Sequence, residues 1–366
     1  MYIFRLVYKN LLRHKLRTFL TIVGIAVAVM AFNLMKTVVS GWNSGVAASA
    51  ANRLVTVHSV SFIFPLPYSY KAQIEKIPGI KRVSYANWFS GIYIDENQFF
   101  ARMAVDPETI WDLYPEFIVS EADKEALKRT QNGCVVGVKI ANQYNLKTGD
   151  LMPMEGDIYP GHWEMKVVGI YRGKDETVDE TQMLFNWHYL DEQVRQTQPG
   201  RAGQVGWYLL AIDDPNDRAT ISAAVDALFA NSPAETKTQT EKEFQQSFVS
   251  MSGAIITAIN IVSFVIIGII LLVLSNTMVM TARERIREYA VMKTLGFSSL
   301  HIGGLIAGES VMIASLGGLI GLVISFPIVE AIHKSLPAGW FPVFSIEPFT
   351  IGLALVFDFI NGMNDA

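Results

Sequence analysis

The sequence predicts an α-helical membrane protein with four transmembrane helices, the fourth short or truncated, and a large α/β extracytoplasmic domain between the first and second. Three observations lead there. The 366 residues are 51% hydrophobic and 17% charged, whereas soluble domains carry about 25% charged residues. The apolar residues are gathered into charge-free runs, the first being the 18 residues Thr18 to Met35. Between that run and the next lie about 200 residues that mix strand-like and helix-like patterns. So apolar a chain is not disordered. A net charge of -4 leaves no global basic footprint for nucleic acid. The single cysteine, Cys134, excludes an internal disulfide framework and any multi-cysteine zinc site.

Residues 1–17 hold Arg5, Lys9, Arg13, Lys15 and Arg17 and no acid, interleaved with Ile3, Phe4, Leu6, Val7, Leu11 and Leu12. This reads as a basic amphipathic helix lying on an anionic cytoplasmic leaflet, with a plain positive leader to the first span as the alternative. The first span is placed at 18–40. Its charge-free run is near the minimum for a spanning helix. It exceeds a usual secretory apolar region, and no A-x-A follows Lys36, so it is read as uncleaved.

The segment 41–243 reads as the extracytoplasmic domain. Strands are expected at Leu54–Val57, Ile92–Ile94, Phe99–Val105, Lys166–Ile170 and Trp207–Ile212, and helices at 69–77, 121–130, 137–145 and 216–230. Gly133–Gly137 is expected to be a strand entering a helix, and Lys147–Asp150 a turn into another strand. The domain shows little chemistry. His58, His162 and His188 lack ligand spacing, and Asp213–Asp217 departs from a calcium loop at Pro215. Cys134, between Gly133 and Val135, reads as a buried structural thiol. No catalytic residue, cofactor-binding residue or metal ligand is assigned. The aromatic–proline segment Phe62–Tyr68 is either a surface for lipid or an apolar ligand, or a buried strand and turn.

From Phe244 to Ala282 runs a second charge-free stretch of 39 residues, roughly 58 Å as helix. That is almost twice the ~30 Å hydrocarbon core. The segment 244–282 is therefore read as a stalk continuing into span two. Apolar and small residues recur every four and three positions at Phe244, Phe248, Met251, Ile255, Ala258, Val262, Val265, Ile269 and Leu272. This is the seam of a helix packed lengthwise on another helix. Span three lies within Ile302–Val329 and carries Glu309, and a fourth begins near Pro348. Glu309 is expected at the cytoplasmic edge, paired with Arg283, Arg285 or Arg287 rather than serving a substrate or proton. Gly24-x-x-x-Ala28, Gly304-x-x-x-Gly308 and Gly317-x-x-x-Gly321 invite close helix contacts.

Positive charge sets the expected orientation. The N-terminus and the segment after span two are rich in Lys and Arg and are placed in the cytoplasm, whereas the loop 330–347 holds only Lys334. The domain 41–243 is then outside, with 19 Lys and Arg against 27 Asp and Glu, net -8. The expected location is the cell inner (cytoplasmic) membrane.

The most specific pattern follows span two: Arg283-Glu284-Arg285-Ile286-Arg287-Glu288-Tyr289-Ala290-Val291-Met292-Lys293-Thr294-Leu295-Gly296. It reads as a short charged helix with an apolar stripe, closed by Gly296 in the left-handed conformation and suited to docking a partner protein. This connector, with Glu309 ahead of a glycine-rich helix and the order of spans and outer domain, resembles the FtsX/MacB-like permease family of ABC transporters. The resemblance covers the chain to about residue 357. It implies a homodimer or permease heterodimer bound to a separate ATPase subunit that holds ATP and magnesium. Arg283, Glu284, Arg285, Arg287, Glu288, Lys293 and Gly296 would receive the ATPase stroke, and a stalk packed through Phe244, Phe248, Met251 and Ile255 would relay it. It also implies outward movement of a lipoprotein, peptide, drug or lipid, with a periplasmic adaptor or cargo protein as a further partner, or alternatively a non-transporting switch acting on a periplasmic partner. In agreement, no G-x-x-x-x-G-K-[ST] occurs in the sequence, so no P-loop for ATP is present. The chain is thus read as a non-enzyme. Asp358 interrupts the fourth span, and Phe357–Ala366 resembles the opening motif of inorganic phosphate permeases, so a truncated or chimeric end is expected.

Overall fold

The computed structural model describes residues 15–47, 49–96, 98–175, 177–251 and 253–335. The expected N-terminal amphipathic helix, apart from Lys15 to Arg17, and the expected fourth span lie outside the described residues. The chain falls into two compact units. One is Trp42–Met251, and the other joins the residues up to Gly41 to the helices that follow Ser252.

The chain enters through α1 (Lys15–Ala47). The outer unit then lays down β1 (Arg53–His58), β2 (Leu66–Pro67), α2 (Lys71–Ile74), β3 (Ile80–Trp88), β4 (Gly91–Ile92), β5 (Ala101–Val105), α3 (Ile110–Leu113), β6 (Phe117–Ile118), α4 (Glu121–Arg129), β7 (Gly133–Gly137) and α5 (Val138–Gln143). It continues with β8 (Leu151–Gly156), β9 (Gly161–Gly173), β10 (Gln182–Asn186), α6 (Trp187–Thr197), β11 (Gln204–Val205), β12 (Trp207–Ile212), α7 (Arg218–Leu228), β13 (Thr236–Thr240) and α8 (Glu241–Met251). One mixed sheet carries the unit in the order β13-β1-β12-β3-β5-β10-β7-β9-β8-β4, with β6 on β9. The β5–β10 and β7–β9 pairs are parallel. The others are antiparallel, as in Leu54 opposite Leu210 and Tyr208 opposite Tyr85.

Side chains alternate across a strand, and here both faces are covered. On one face Leu54, Val83, Tyr85, Cys134, Met183 and Tyr208 pack with residues of α5, α6 and α7. On the other, Val55, Val105, Val135, Leu184 and Leu209 pack with Ile110, Trp111, Leu127 and Phe244. Burial on both faces is why β12 is apolar at every position. Cys134 is fully buried, and burial pushes its thiol pKa up.

Several expectations shift against this sheet. Ile92–Ile94 forms strand only at Ile92, because Ile94 turns out with φ +65° and is exposed. The expected helix 69–77 is a 3₁₀ turn (Tyr68–Tyr70) leading into α2, which ends at Ile74 just ahead of Pro78-Gly79, with Gly79 at φ +89°. The expected helix 216–230 opens as a 3₁₀ turn, capped by the Asp214 side chain accepting from Asn216 N–H, and continues as α7. The reading missed β3, β10, α6 and β13. The first two run through the middle of the sheet despite the polar residues Lys81, Arg82, Ser84, Asn87, Gln182 and Asn186.

The second unit is built from α1, α9 (Gly253–Glu284), α10 (Ile286–Thr294) and α11 (Ser299–Ser335). Three of these helices are long and apolar enough to cross a membrane: Lys15–Gly41, Gly253–Glu284 and Ser299–His333. Ile25, Val29, Ile270 and Ala314 form their shared core. Gly317 and Gly321 let α11 lie against α1. A Cβ at Gly317 would sit 2.7 Å from Ile25 Cβ, and one at Gly321 would sit 2.5 Å from the Ala26 carbonyl oxygen. Gly24 and Gly304 have no such neighbours. Polar side chains add ties: Asn33 Nδ2 donates to Ser325 Oγ at 3.3 Å and Lys36 Nζ to Asn260 Oδ1 at 3.0 Å.

Candidate functional site

The connector is a helix break, a short helix and a cap. Arg285 leaves helical geometry with φ -101° and ψ 8°, which separates α9 from α10. At the other end Gly296 adopts φ +94°. Gly296 N–H donates to Lys293 O at 3.2 Å and Phe297 N–H to Met292 O at 3.1 Å. These two bonds satisfy carbonyls that a helix end otherwise leaves open, and the positive φ explains glycine there. The Ser298 carbonyl then accepts from His301 N–H at 3.0 Å as α11 begins.

Charge pairs fix the connector to the spans. Arg17 on α1 grips Glu284 through two hydrogen bonds, 2.7 and 2.8 Å, a planar fork that a lysine would not reproduce. Arg285 is buried and donates to Glu309 of α11 at 2.9 Å, with Glu288 3.6 Å from its Nε. The intramembrane carboxylate and the connector therefore meet, and Arg285 is the partner among the three arginines considered. Beside them a cavity of about 20 Å³ is lined by Thr21, Met278, Tyr289, Glu309 and Ser310. Burial raises the pKa of the Tyr289 phenol.

The outward side of the connector differs from this anchored side. Arg283, Arg287 and Lys293 are exposed, and Ile286, Val291, Leu295, Phe297 and Leu300 are exposed with them. The residues 283–296 thus divide into a gripping set (Glu284, Arg285, Glu288) and a presenting set of cations and apolar side chains.

The expected stalk seam also divides. Phe244 is buried and Phe248 partly buried, both within the outer unit. Phe244 lies 5.8 Å from the Trp207 ring, Phe248 4.8 Å from Phe62, and the two phenylalanines 4.9 Å from each other. These positions pack on the sheet face and on Phe62 rather than along a second helix, because aromatic rings there fill the space beside β12. On α9, Ile255, Val262, Val265, Ile269 and Leu272 are all exposed, whereas Ile270 faces α1 and α11. The Met251 side chain lies outside the described residues.

The sequence reading missed a second charged node, at the start of α8. Glu241, almost fully buried, accepts from Ala50 N–H (2.9 Å), Arg53 Nε (2.8 Å) and the Tyr114 hydroxyl (3.0 Å). Arg53 also bonds Glu116 at 2.7 Å and the Leu113 carbonyl at 2.8 Å, and it stacks 4.2 Å over the Tyr114 ring. Burial opposes the Arg53 charge, but Glu116 and Glu241 outweigh it and raise its pKa. The signal was in the sequence: Arg53 is the only Lys or Arg between Lys36 and Lys71.

No group of three or more His, Cys, Asp or Glu side chains among the described residues is placed to hold a metal. Comparison with known proteins then decides the class. The model of the MacB-like periplasmic core domain matches residues 18–228, more than half of the chain, and that of the FtsX-like permease C-terminal region matches 260–360. The chain belongs to the FtsX/MacB-like family of ABC transporter permeases. The permease is 20% identical over 343 residues to an uncharacterized ABC transporter permease of Methanocaldococcus jannaschii, covering 89% of this chain and 83% of that one. Solved structures similar to part of the permease include the periplasmic region of MacB from Actinobacillus actinomycetemcomitans (11% identity, TM-score 0.39, 56% of this chain and 95% of that one). Another is the extracellular domain of the noncanonic ABC-type transporter YknZ from Gram-positive bacteria (10% identity, TM-score 0.37, 52% and 99%).

Proposed function

We propose that this permease is the membrane subunit of an ABC transporter, with its outer unit outside the cytoplasmic membrane and the connector 283–296 docking a separate ATPase in the cytoplasm. One observation carries the reading. The connector presents exposed cations and apolar side chains on one side, while Arg285–Glu309 and Arg17–Glu284 tie its other side to α11 and α1. A push on the presented face would reach two spans through charge-assisted bonds, which are short and directional. The excess of Lys and Arg near the N-terminus and in 283–293 supports a cytoplasmic connector.

The exposed apolar column Ile255–Leu272 on α9 supports a second permease copy or a related chain as its cover, because a repeat of four and three is the pattern of lengthwise helix pairing. In this reading ATP turnover in the partner moves the α9 helices of a dimer. The motion passes through α8, which Arg53 and Glu241 join to the sheet, and drives outward movement of a lipoprotein, peptide, drug or lipid.

Copurification tests it. Tagged permease solubilised in mild detergent should bring down a P-loop ATPase, and Arg287→Glu with Lys293→Glu should abolish that capture while leaving the thermal stability of the permease within about 0.5 kcal/mol. Capture of no ATPase, or capture unaffected by the charge reversals, would sink the proposal.

A further inference from the structure

The outer unit holds a cavity that its family membership does not explain. It measures about 120 Å³ and lies between the sheet and α8. Val55, Val105, Leu184 and Leu209 line it from the strands, and Trp207 and Phe244 add aromatic walls. Protein interiors are close-packed and hold few voids larger than a water molecule. An apolar cavity of about 150 Å³ stays dry and takes up benzene, so this one has the scale of a single ring.

Its chemistry narrows the occupant. Glu241 is the one charged residue in the lining, and its carboxylate is already held by Arg53, Tyr114 and the Ala50 N–H. No unpaired charge faces the space, so burying an ion there would be costly. Trp207 and Phe244 offer faces and edges to a ring. Met103, Phe117, Gln182 and Gln245 also line the cavity and keep partial exposure, which places the mouth among them. One Gln182 Nε2 hydrogen already goes to Asp179, at 2.7 Å, so Gln245 is the less committed of the two amides.

We propose that this cavity is a binding site for a small neutral aromatic molecule, its ring against Trp207 and Phe244 and its polar end at Gln245. An occupant would touch Glu241, Phe244 and Gln245, three residues of α8. The site thus links ligand occupancy to the helix that leads out of the outer unit. It stands independently of ATPase docking.

The test uses the full chain in lipid nanodiscs with ¹³C-methyl methionine and p-cresol as the probe. The Met103 signal, assigned through Met103→Leu, should shift saturably by ring current. Met280, exposed on α9, reports partition into lipid. Val105→Phe, which fills the cavity, should weaken binding by about tenfold or more, the scale on which a pocket senses extra carbons. Gln245→Trp, which narrows the mouth without touching the core, should do the same and keeps the test valid if the filled variant does not fold. An unmoved Met103 signal, a shift that never saturates and parallels Met280, or equal affinity in a folded variant would each overturn the proposal.

Discussion

The two units are held together by opposite means. The outer unit buries both faces of one sheet and then buries charge as well, at Arg53, Glu116 and Glu241, with Tyr114 between them. The helical unit has a small shared core around Ile25, Val29, Ile270 and Ala314, close backbone approach at two glycines, and a long exposed apolar column on α9. In water the hydrophobic effect rewards the first arrangement. In lipid it gives no advantage to apolar contact between helices, so packing of small residues and a few polar ties must serve. The outer unit therefore buries the apolar faces of its own sheet, whereas among the described residues α9 of the helical unit keeps an apolar column exposed.

The largest test of that contrast is the buried charge node. Arg53→Ala strands Glu241 and is expected to destabilise the outer unit by about 3–5 kcal/mol, because an unpaired buried carboxylate remains. Denaturant unfolding in nanodiscs, followed by tryptophan emission, measures it. Arg53→Met with Glu241→Leu should recover much of the loss, since the buried carboxylate is then gone and Glu116, which also loses Arg53, is partly exposed to water.

The corresponding break in the helical unit is smaller. Gly321→Val places a side chain against the Ala26 carbonyl and Val29, and overpacking of this kind costs about 1–3 kcal/mol. Gly24→Ala, which meets nothing within 4 Å, should leave the detergent-solubilised melting temperature unchanged. Equal losses in the two variants would mean that α1 and α11 do not meet through Gly321.

A weaker effect concerns Cys134. Burial raises its folded-state pKa above the unfolded value, so the thiol form is favoured by folding. Its stabilising contribution is complete below the unfolded pKa and is lost as pH rises toward the folded value. At pH 8 the native chain should therefore resist maleimide, with labelling appearing only in denaturant. Rapid native labelling would show that β7 is not buried on that face.

The smallest change is expected at the surface. Glu121→Gln removes an exposed ion pair with Lys124 and should alter stability by about 0.5 kcal/mol or less, in the same unfolding assay that reports Arg53.

How far the sequence reached follows from the same physics. β12 was legible end to end because six consecutive apolar residues bounded by Gly206 and Asp213 have few alternatives. The first three spans were legible from charge-free length. β3 was not, because Lys81, Arg82, Ser84 and Asn87 break its apolar pattern, and the partners that Arg82 and Asn87 find lie elsewhere in the sequence. Asn87, for example, accepts from Trp187 Nε1 at 2.8 Å. α6 was hidden for a related reason: Trp187, Leu190 and Val194 sit on one face of an otherwise polar stretch. The connector motif was visible as a run of charges, but which arginine would reach Glu309 was not. Arg283, Arg285 and Arg287 are equivalent in composition and differ only in the face they occupy.

By itself the sequence determined the class of the molecule: apolar helices of spanning length, a polar unit set between the first two, and a charged connector closed by a glycine. Those properties are local, since length, charge and left-handed backbone freedom belong to a segment whatever surrounds it. The tertiary structure alone decided that Arg285 pairs with Glu309, that Arg17 reaches Glu284 across 267 residues, that Arg53 and Glu241 close on each other, and that a ring-sized cavity lies beside Phe244. Each depends on where distant segments meet, and one chain of residues carries no signal of that meeting until the helices and the sheet have packed.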